Sequence, residues 1–110
     1  MRQKEIWEIY LDPVEGSEQS GRRPAVIISG NLLNEYLQIV IVCPLTTKIK
    51  NYKGNVILNP DWRNNLSHLS EVLTFHIRSI SKKRLTKKIG EISDEELSEI
   101  KSTLGDILRY

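Results

Sequence analysis

Only one stretch of this chain repeats its apolar residues at helical spacing. Leu97, Ile100, Leu104, Ile107 and Leu108 fall three or four positions apart and mark one apolar face. Ser93 and Glu96 stand before that face at capping-box spacing, and Asp94 and Glu95 put negative charge where the helix dipole favours it. Upstream of Ser93 the apolar runs are short, either alternating or continuous, and are punctuated by glycine, proline and asparagine. Such a chain has to satisfy its backbone in strands and turns.

Glu5 to Leu11 alternates, with Trp7, Ile9 and Leu11 on one side and Ile6, Glu8 and Tyr10 on the other, so a first strand is predicted there. Residues 12–22 read as a surface loop, polar and bracketed by Gly16 and Gly21. Pro24 to Ser29 reads as a buried strand, with proline tolerated at its first position because it lacks a ladder donor. Gly30 to Tyr36 suggests a turn or ragged connection. The β-branched run Leu37 to Cys43 is assigned as the central strand, ended by Pro44. A polar, basic loop over 46–53 follows, then a strand from Gly54 to Leu58 and a turn or single helical turn from Asn59 to Trp62. Strands are expected over Ser67–Thr74, Phe75–Ser81 and Leu85–Ile92. The fold class is mainly β: a small antiparallel barrel-like sheet with a C-terminal α-helix. With 110 residues, one domain spanning 1–110 is expected.

Hydrophobic residues make up 39% of the chain and charged residues 27%, which excludes a disordered tail. No apolar run reaches the ~18 residues of a membrane span, and Met-Arg-Gln-Lys-Glu-Ile does not open like a secretory signal. The one cysteine, Cys43, lies in an apolar run and reads as a buried, inert thiol; a reducing, cytoplasmic setting is expected. A net charge of +2 gives no bulk polycation, but Arg78, Lys82, Lys83, Arg84, Lys87 and Lys88 follow one another with no acid between Arg78 and Lys88. The acids gather after Glu91. One end of the molecule could attract phosphate; a solvated basic face would look the same.

His68, His76 and Cys43 offer no paired zinc spacing, and there is no phosphate-cradling loop, dinucleotide fingerprint or nucleophile elbow. No metal or cofactor site is expected. Arg23, one residue before Pro24, would sit at the mouth of the loop with its base pinned by the sheet, a way to fix a cation beside a covered site. The bland alternative is an ordinary surface arginine.

Gly16-Ser17-Glu18-Gln19-Ser20-Gly21-Arg22-Arg23-Pro24-Ala25-Val26-Ile27-Ile28 resembles the N-terminal signature of the MazF/PemK/Kid family, the toxins of bacterial type II toxin–antitoxin pairs. Pro44-Leu45-Thr46-Thr47-Lys48 resembles the family's second motif. Ser70-Glu71-Val72-Leu73, with Ile77-Arg78-Ser79-Ile80 and Lys83-Arg84-Leu85, resembles its third. The resemblance spans nearly the whole chain, and three blocks in order are specific where each alone is weak. It implies the SH3-like barrel of the MazF/Kid/CcdB type. It also implies a metal-independent endoribonuclease that cuts single-stranded RNA by 2′-hydroxyl attack, leaving 2′,3′-cyclic phosphate and 5′-hydroxyl ends.

By that resemblance Arg23 and Thr46 are the catalytic pair. Arginine suits charge stabilisation at phosphoryl oxygens, since its pKa of roughly 12 or more makes it a poor base at neutral pH. Thr46 would hold a phosphate oxygen; the alternative is a threonine that closes a loop. Glu18 is the base candidate by its place in the loop, against the ordinary reading of a solvated glutamate. Ser17, Gln19, Thr47, Lys48, His76 and Arg78 are the expected RNA contacts. Lys50 and Lys53 read better as solvated loop lysines.

Phe75-His76 departs from the acid-glutamine pair common in the family, which opens the RNA preference; His76 ranks as base contact, then inert, then catalytic. Lys4 stands where many relatives carry glycine and reads as a peripheral change. The implied partners are a second copy of the chain and a MazE-like antitoxin with a disordered acidic C-terminal tail, any DNA being bound through the antitoxin alone. Two rival readings predict no RNA cleavage. A gyrase-poison toxin of the same fold would depend on a Trp-Gly-Ile tail, whereas this chain ends Asp-Ile-Leu-Arg-Tyr. An SH3-like interaction module would have no need of Arg23.

Overall fold

The computed structural model describes residues 1–11 and 21–110. Seven strands form one antiparallel, curled half-barrel: β1 Glu5–Leu11, β2 Gly21–Ile27, β3 Ile39–Thr46, β4 Ile57–Leu58, β5 Ser70–Val72, β6 Arg78–Ser81 and β7 Leu85–Glu91. The helices are α1, Asn31–Tyr36, and α2, Asp94–Arg109. Strand order is β4-β5-β3-β2-β1-β7, with β6 also paired to β3. No helix among the described residues is long and apolar enough to cross a membrane.

Pro24 and Pro44 sit inside strands, contrary to the sequence expectation. Pro24 is the fourth residue of β2, opposite Glu8, and Pro44 lies in β3, opposite Ala25. Both are tolerated because each lies where a ladder changes. The β2–β3 pairing runs from Ile27↔Val42 only as far as Ala25↔Pro44, so Pro24 lies just past its end and owes β3 no donor. At Pro44 the other edge of β3 changes partner, from β6 through Ile39–Val42 to β5 at Leu45 and Thr46. The Pro44 carbonyl accepts from Leu73 N–H at 2.8 Å. The central strand therefore does not end at Cys43 but bends through Pro44 from one part of the sheet into the other.

The sheet is apolar on both faces. On one, Ile6, Val26, Cys43, Leu45, Leu58 and Val72 pack with Leu97 and Ile100 of α2. On the other, Ile9, Leu11, Ala25, Ile27, Val40, Val42, Ile80 and Leu85 close a second cluster. Ile6, on the side of β1 opposite Ile9 and Leu11, is also fully buried. Burial pushes the Cys43 thiol up to about 12, which fits an inert core cysteine.

The capping box of α2 forms as expected: Glu96 N–H donates to Ser93 Oγ at 3.1 Å, and Ser93 N–H to Glu96 Oε1 at 2.8 Å. Leu97 and Ile100 are buried, whereas Leu108 at the end of the same stripe is 84% exposed. Gly30 to Tyr36, expected to be a turn or ragged connection, carries α1. Its buried Asn34 donates to Ser29 O at 2.9 Å and bonds the Ser29 hydroxyl, so side-chain amides hold a helix too short to stand alone. The strands expected over 54–58, 67–74 and 75–81 shrink to β4, β5 and β6, and Thr74–His76 makes a 3₁₀ turn between the last two.

Candidate functional site

Strand register decides which expected residues can meet. Antiparallel partners share a face, so Val42↔Arg78 and Ile9↔Arg23 place both arginines on the face of the second cluster. Thr46 lies four residues along β3 from Val42 and so faces the same way. Carrying the β2–β3 register two residues beyond Ala25↔Pro44 sets Arg23 opposite Thr46, where the ladder has ended and the strands part. Arg23, Thr46 and Arg78 therefore share one face of the sheet, one from each of three strands, with Arg23 beside Thr46 at the end of the ladder and Arg78 four residues back along β3, opposite Val42.

Arg23 is the third residue of β2, not a residue at the mouth of a loop, and is partly buried. Its Nε is buried with no hydrogen-bond partner among the described residues, and no ion pair there engages Arg23 or Arg78. Both guanidinium forks keep donors for an incoming anion. Thr46 is 8% exposed, and its Oγ1 accepts from Lys48 N–H at 3.1 Å. The acceptor role is filled locally, and the hydroxyl hydrogen is left to donate. Thr47 and Lys48 follow directly, both exposed. Ser17, Glu18 and Gln19, expected at the site, lie outside the described residues.

Glu71, quoted in the third motif but given no role, organises this region. It is paired with Thr46 across the β3–β5 ladder and is fully buried. Oε1 accepts from the N–H groups of Lys50 and Asn51, both at 2.8 Å, and Oε2 from Tyr52 N–H at 3.0 Å and Asn55 Nδ2 at 2.9 Å. Burial alone would raise its pKa; the Asn55 amide and the three backbone donors outweigh that and hold the carboxyl below its ordinary value. The 46–55 connection is thereby tied to the strand that carries Thr46's neighbour. A glutamate with a strand residue on each side was the available sequence signal, but nothing local says which loop it captures.

The same loop presents Tyr52 to Phe75, ring centres 5.3 Å apart and edge to face, and Phe75 meets His76 at 4.7 Å in the same manner. Tyr52 and Phe75 stay 49% and 45% exposed. Three rings held by mutual edge-to-face contact offer a platform on which a base could stack. Lys50 and Lys53 are exposed, as expected of solvated lysines.

The run of cations from Arg78 to Lys88 does not form one continuous patch. Lys82 Nζ bonds the Asn34 carbonyl, Arg84 Nη1 donates to Tyr10 O at 3.2 Å, and Lys88 Nζ lies 3.2 Å from Glu5 Oε2. Glu5 is mostly buried, which by itself would raise its pKa. Donation from Arg2 N–H, the Trp7 indole and Lys88 brings it instead down to about 2. Lys82 and Arg84 brace the fold, Lys88 pairs with Glu5 while staying half exposed, and Arg23 and Arg78 carry no ion pair among the described residues.

A curled half-barrel that carries two arginines and a threonine on one face defines a small β protein with a cationic face. The sequence profile of the PemK-like, MazF-like toxin of type II toxin–antitoxin system matches residues 2–108. Endoribonuclease MazF9 of Mycobacterium tuberculosis is 34% identical over 110 residues, covering 94% of this chain and 92% of that protein. MazF of Deinococcus radiodurans superposes with a TM-score of 0.81 at 29% identity, over 99% of this chain and 96% of that one. A MazE–MazF structure from the same organism gives 0.74 at 30% identity, over 96% and 91%. The chain belongs to the PemK-like, MazF-like toxins of type II toxin–antitoxin systems, an endoribonuclease family.

Proposed function

We propose that this toxin cuts single-stranded RNA by attack of a ribose 2′-hydroxyl on its own 3′-phosphate, leaving a 2′,3′-cyclic phosphate and a 5′-hydroxyl, without a metal ion. The observation that carries the reading is the placement of Arg23 beside Thr46 where the β2–β3 ladder ends, with Arg78 on the same face of the sheet. In that reaction negative charge grows on the phosphoryl oxygens as the P–O bond to the 2′-oxygen forms and the bond to the 5′-oxygen breaks. The Arg23 fork stabilises that charge, and the Thr46 hydroxyl donates to one of the same oxygens. Glu18 is the proposed acceptor of the 2′-hydroxyl proton, which the departing 5′-oxygen must recover from a second donor. Thr47, Lys48 and Arg78 hold flanking phosphates or base edges, and His76 contacts a base beside the rings of Phe75 and Tyr52. Single-stranded substrate is required because the attacking hydroxyl must line up with the scissile phosphate and the bases must splay.

The same reading makes residues 1–110 one toxin domain that acts in the cytoplasm, arrests growth by cutting RNA and works as a homodimer. Leu32, Tyr36, Leu37 and Ile39, all exposed on α1 and the start of β3, are candidates to be covered by a second copy. A MazE-like antitoxin with an acidic, disordered tail would neutralise it by occupying the arginine face. The test is cleavage of a mixed single-stranded RNA pool in excess EDTA, with Arg23→Ala alongside. Cuts that persist in EDTA and vanish in the variant are expected; a folded wild type that cuts nothing overturns the reading.

A further inference from the structure

The turn after β4 builds a surface that the cleavage site does not use. Asp61 Oδ1 accepts from Arg63 N–H at 2.9 Å and Asn64 N–H at 2.7 Å, and the buried Asn64 side chain bonds Asn59 O, Asp61 N and Leu66 N. The turn is pressed onto β7: a Cβ on Gly90 would lie 2.4 Å from Asn64 O, and Arg63 O accepts from Glu91 N–H at 3.0 Å. The backbone that carries Trp62 is thus held at the tip of the turn, with 83% of Trp62's surface exposed and the Arg63 guanidinium 5.3 Å from its ring centre.

Two concavities meet at Asn65 and Ile89. One, of about 210 Å³, reaches Pro24, Thr47 and His68; the other, of about 300 Å³, reaches Trp62, Arg63, Lys88 and Glu91. Together they form one trough. It runs from Thr47 to Trp62 on the side of the sheet that packs with α2, across the sheet from the face of Arg23 and Thr46. Its apolar floor, Leu66 and Ile89, packs on the core and is rigid. Arg63 and Lys88 face one acid in the lining, Glu91; Lys88 also meets Glu5, and Asp94 lies near Arg63.

We propose that this trough is an auxiliary site for the single-stranded RNA that flanks the cut, with Trp62 stacking one unpaired base and Arg63 and Lys88 beside its phosphates. The proposal rests on the ribonuclease reading above. A π face on a rigid turn binds any base, and two cations beside it suit a phosphate backbone better than an acidic, apolar peptide needs. The trough offers such a peptide only two floor residues, and the edge of β7 beside it is partly taken by the turn, with Glu91 N–H donating to Arg63 O and Asn65 Nδ2 to Ile89 O, so RNA is the favoured occupant.

The test compares kcat/KM on two RNAs sharing one cut site: one of about twenty nucleotides, and one cut back to the few nucleotides around the scissile bond. Trp62→Ala should lower kcat/KM on the long RNA by roughly five- to one-hundred-fold, mainly through KM, the range expected for one lost base stack. It should leave the short RNA unaffected, and Trp62→Phe should recover much of the loss. Arg63→Gln should lessen the salt dependence of binding on the long RNA alone. Equal effects on both RNAs, or none on the long one, overturn the proposal while leaving the ribonuclease reading intact. A wild type that cuts neither RNA overturns both. Loss of antitoxin binding in Trp62→Ala with long-RNA cleavage unchanged would assign the trough to a protein partner and refute the RNA assignment.

Discussion

Replacing Glu71 with glutamine removes no volume, yet it should be among the most damaging conservative changes in the chain. All four of its hydrogen bonds are accepted, two on each carboxylate oxygen. A glutamine keeps one oxygen and turns the other into an NH₂ group facing two donors. Whichever way the amide lies, two N–H groups lose their acceptor in a fully buried site. Each buried donor left unsatisfied costs about 1–3 kcal/mol, and relief of the buried charge offsets part of the total, so a net loss of about 2–4 kcal/mol is expected. Against a total stability of about 5–15 kcal/mol this is large but leaves the protein folded.

Urea denaturation at neutral pH should show a lower midpoint at unchanged slope, and amide exchange should quicken first at Lys50, Asn51 and Tyr52. RNA cleavage should weaken through KM, since Thr47, Lys48 and Tyr52 ride on the loop that loosens. The acid limb supplies a second check. The folded pKa of Glu71 is depressed, so its contribution is complete above the unfolded value of roughly 4.3 and is lost as pH falls through the folded value. The variant's stability should therefore depend less on pH in that range. A Glu71→Gln protein within about 0.5 kcal/mol of wild type, with unchanged exchange at 50–52, would refute the carboxylate's organising role.

Arg23→Lys keeps the charge but loses the fork, and kcat on RNA should fall by about a hundredfold or more with the urea midpoint nearly unmoved. Gly90→Ala drives a methyl against the Asn64 carbonyl and should destabilise by roughly 3 kcal/mol in thermal melts, with the 61–65 turn shifted in amide spectra. Glu5, held down to about 2, contributes stability that is complete above pH ~4.3 and disappears as pH falls toward 2; Glu5→Gln should remove about 3 kcal/mol at neutral pH and flatten the curve over that window. Phe75→Ala should raise KM for RNA about five-fold or more through the lost stacking surface, while Phe75→Tyr should not.

Much of the architecture is written in local pattern. The alternation of Glu5 to Leu11 and the box around Ser93 and Glu96 each specify an element within a few residues, and both formed where expected. What escaped is decided at a distance. Pro24 and Pro44 read as strand ends because a proline breaks a ladder; here each lies where β2 or β3 changes or loses a partner, and only the topology shows that. α1 depends on Asn34 reaching back to Ser29, and the grip of Glu71 spans about twenty residues of sequence. Lys4 adopts φ 82°, where glycine is favoured, and its Nζ reaches Asp94 at 2.8 Å; the change that looked peripheral trades backbone ease for an ion pair. The candidate arginines and Thr46 were legible through motif resemblance. That they share one face of the sheet required the register.

The 2′-hydroxyl is the reactant on which the proposed chemistry turns. The most direct measurement takes one RNA carrying a mapped cut site and substitutes 2′-deoxyribose at the single nucleotide 5′ to the scissile phosphate, with EDTA present throughout. Loss of that cut alone, with neighbouring sites still cleaved and a cyclic phosphate on the product of the unmodified strand, is the expected result. Continued cleavage at the deoxy position would contradict it, because an external nucleophile would then be breaking the bond.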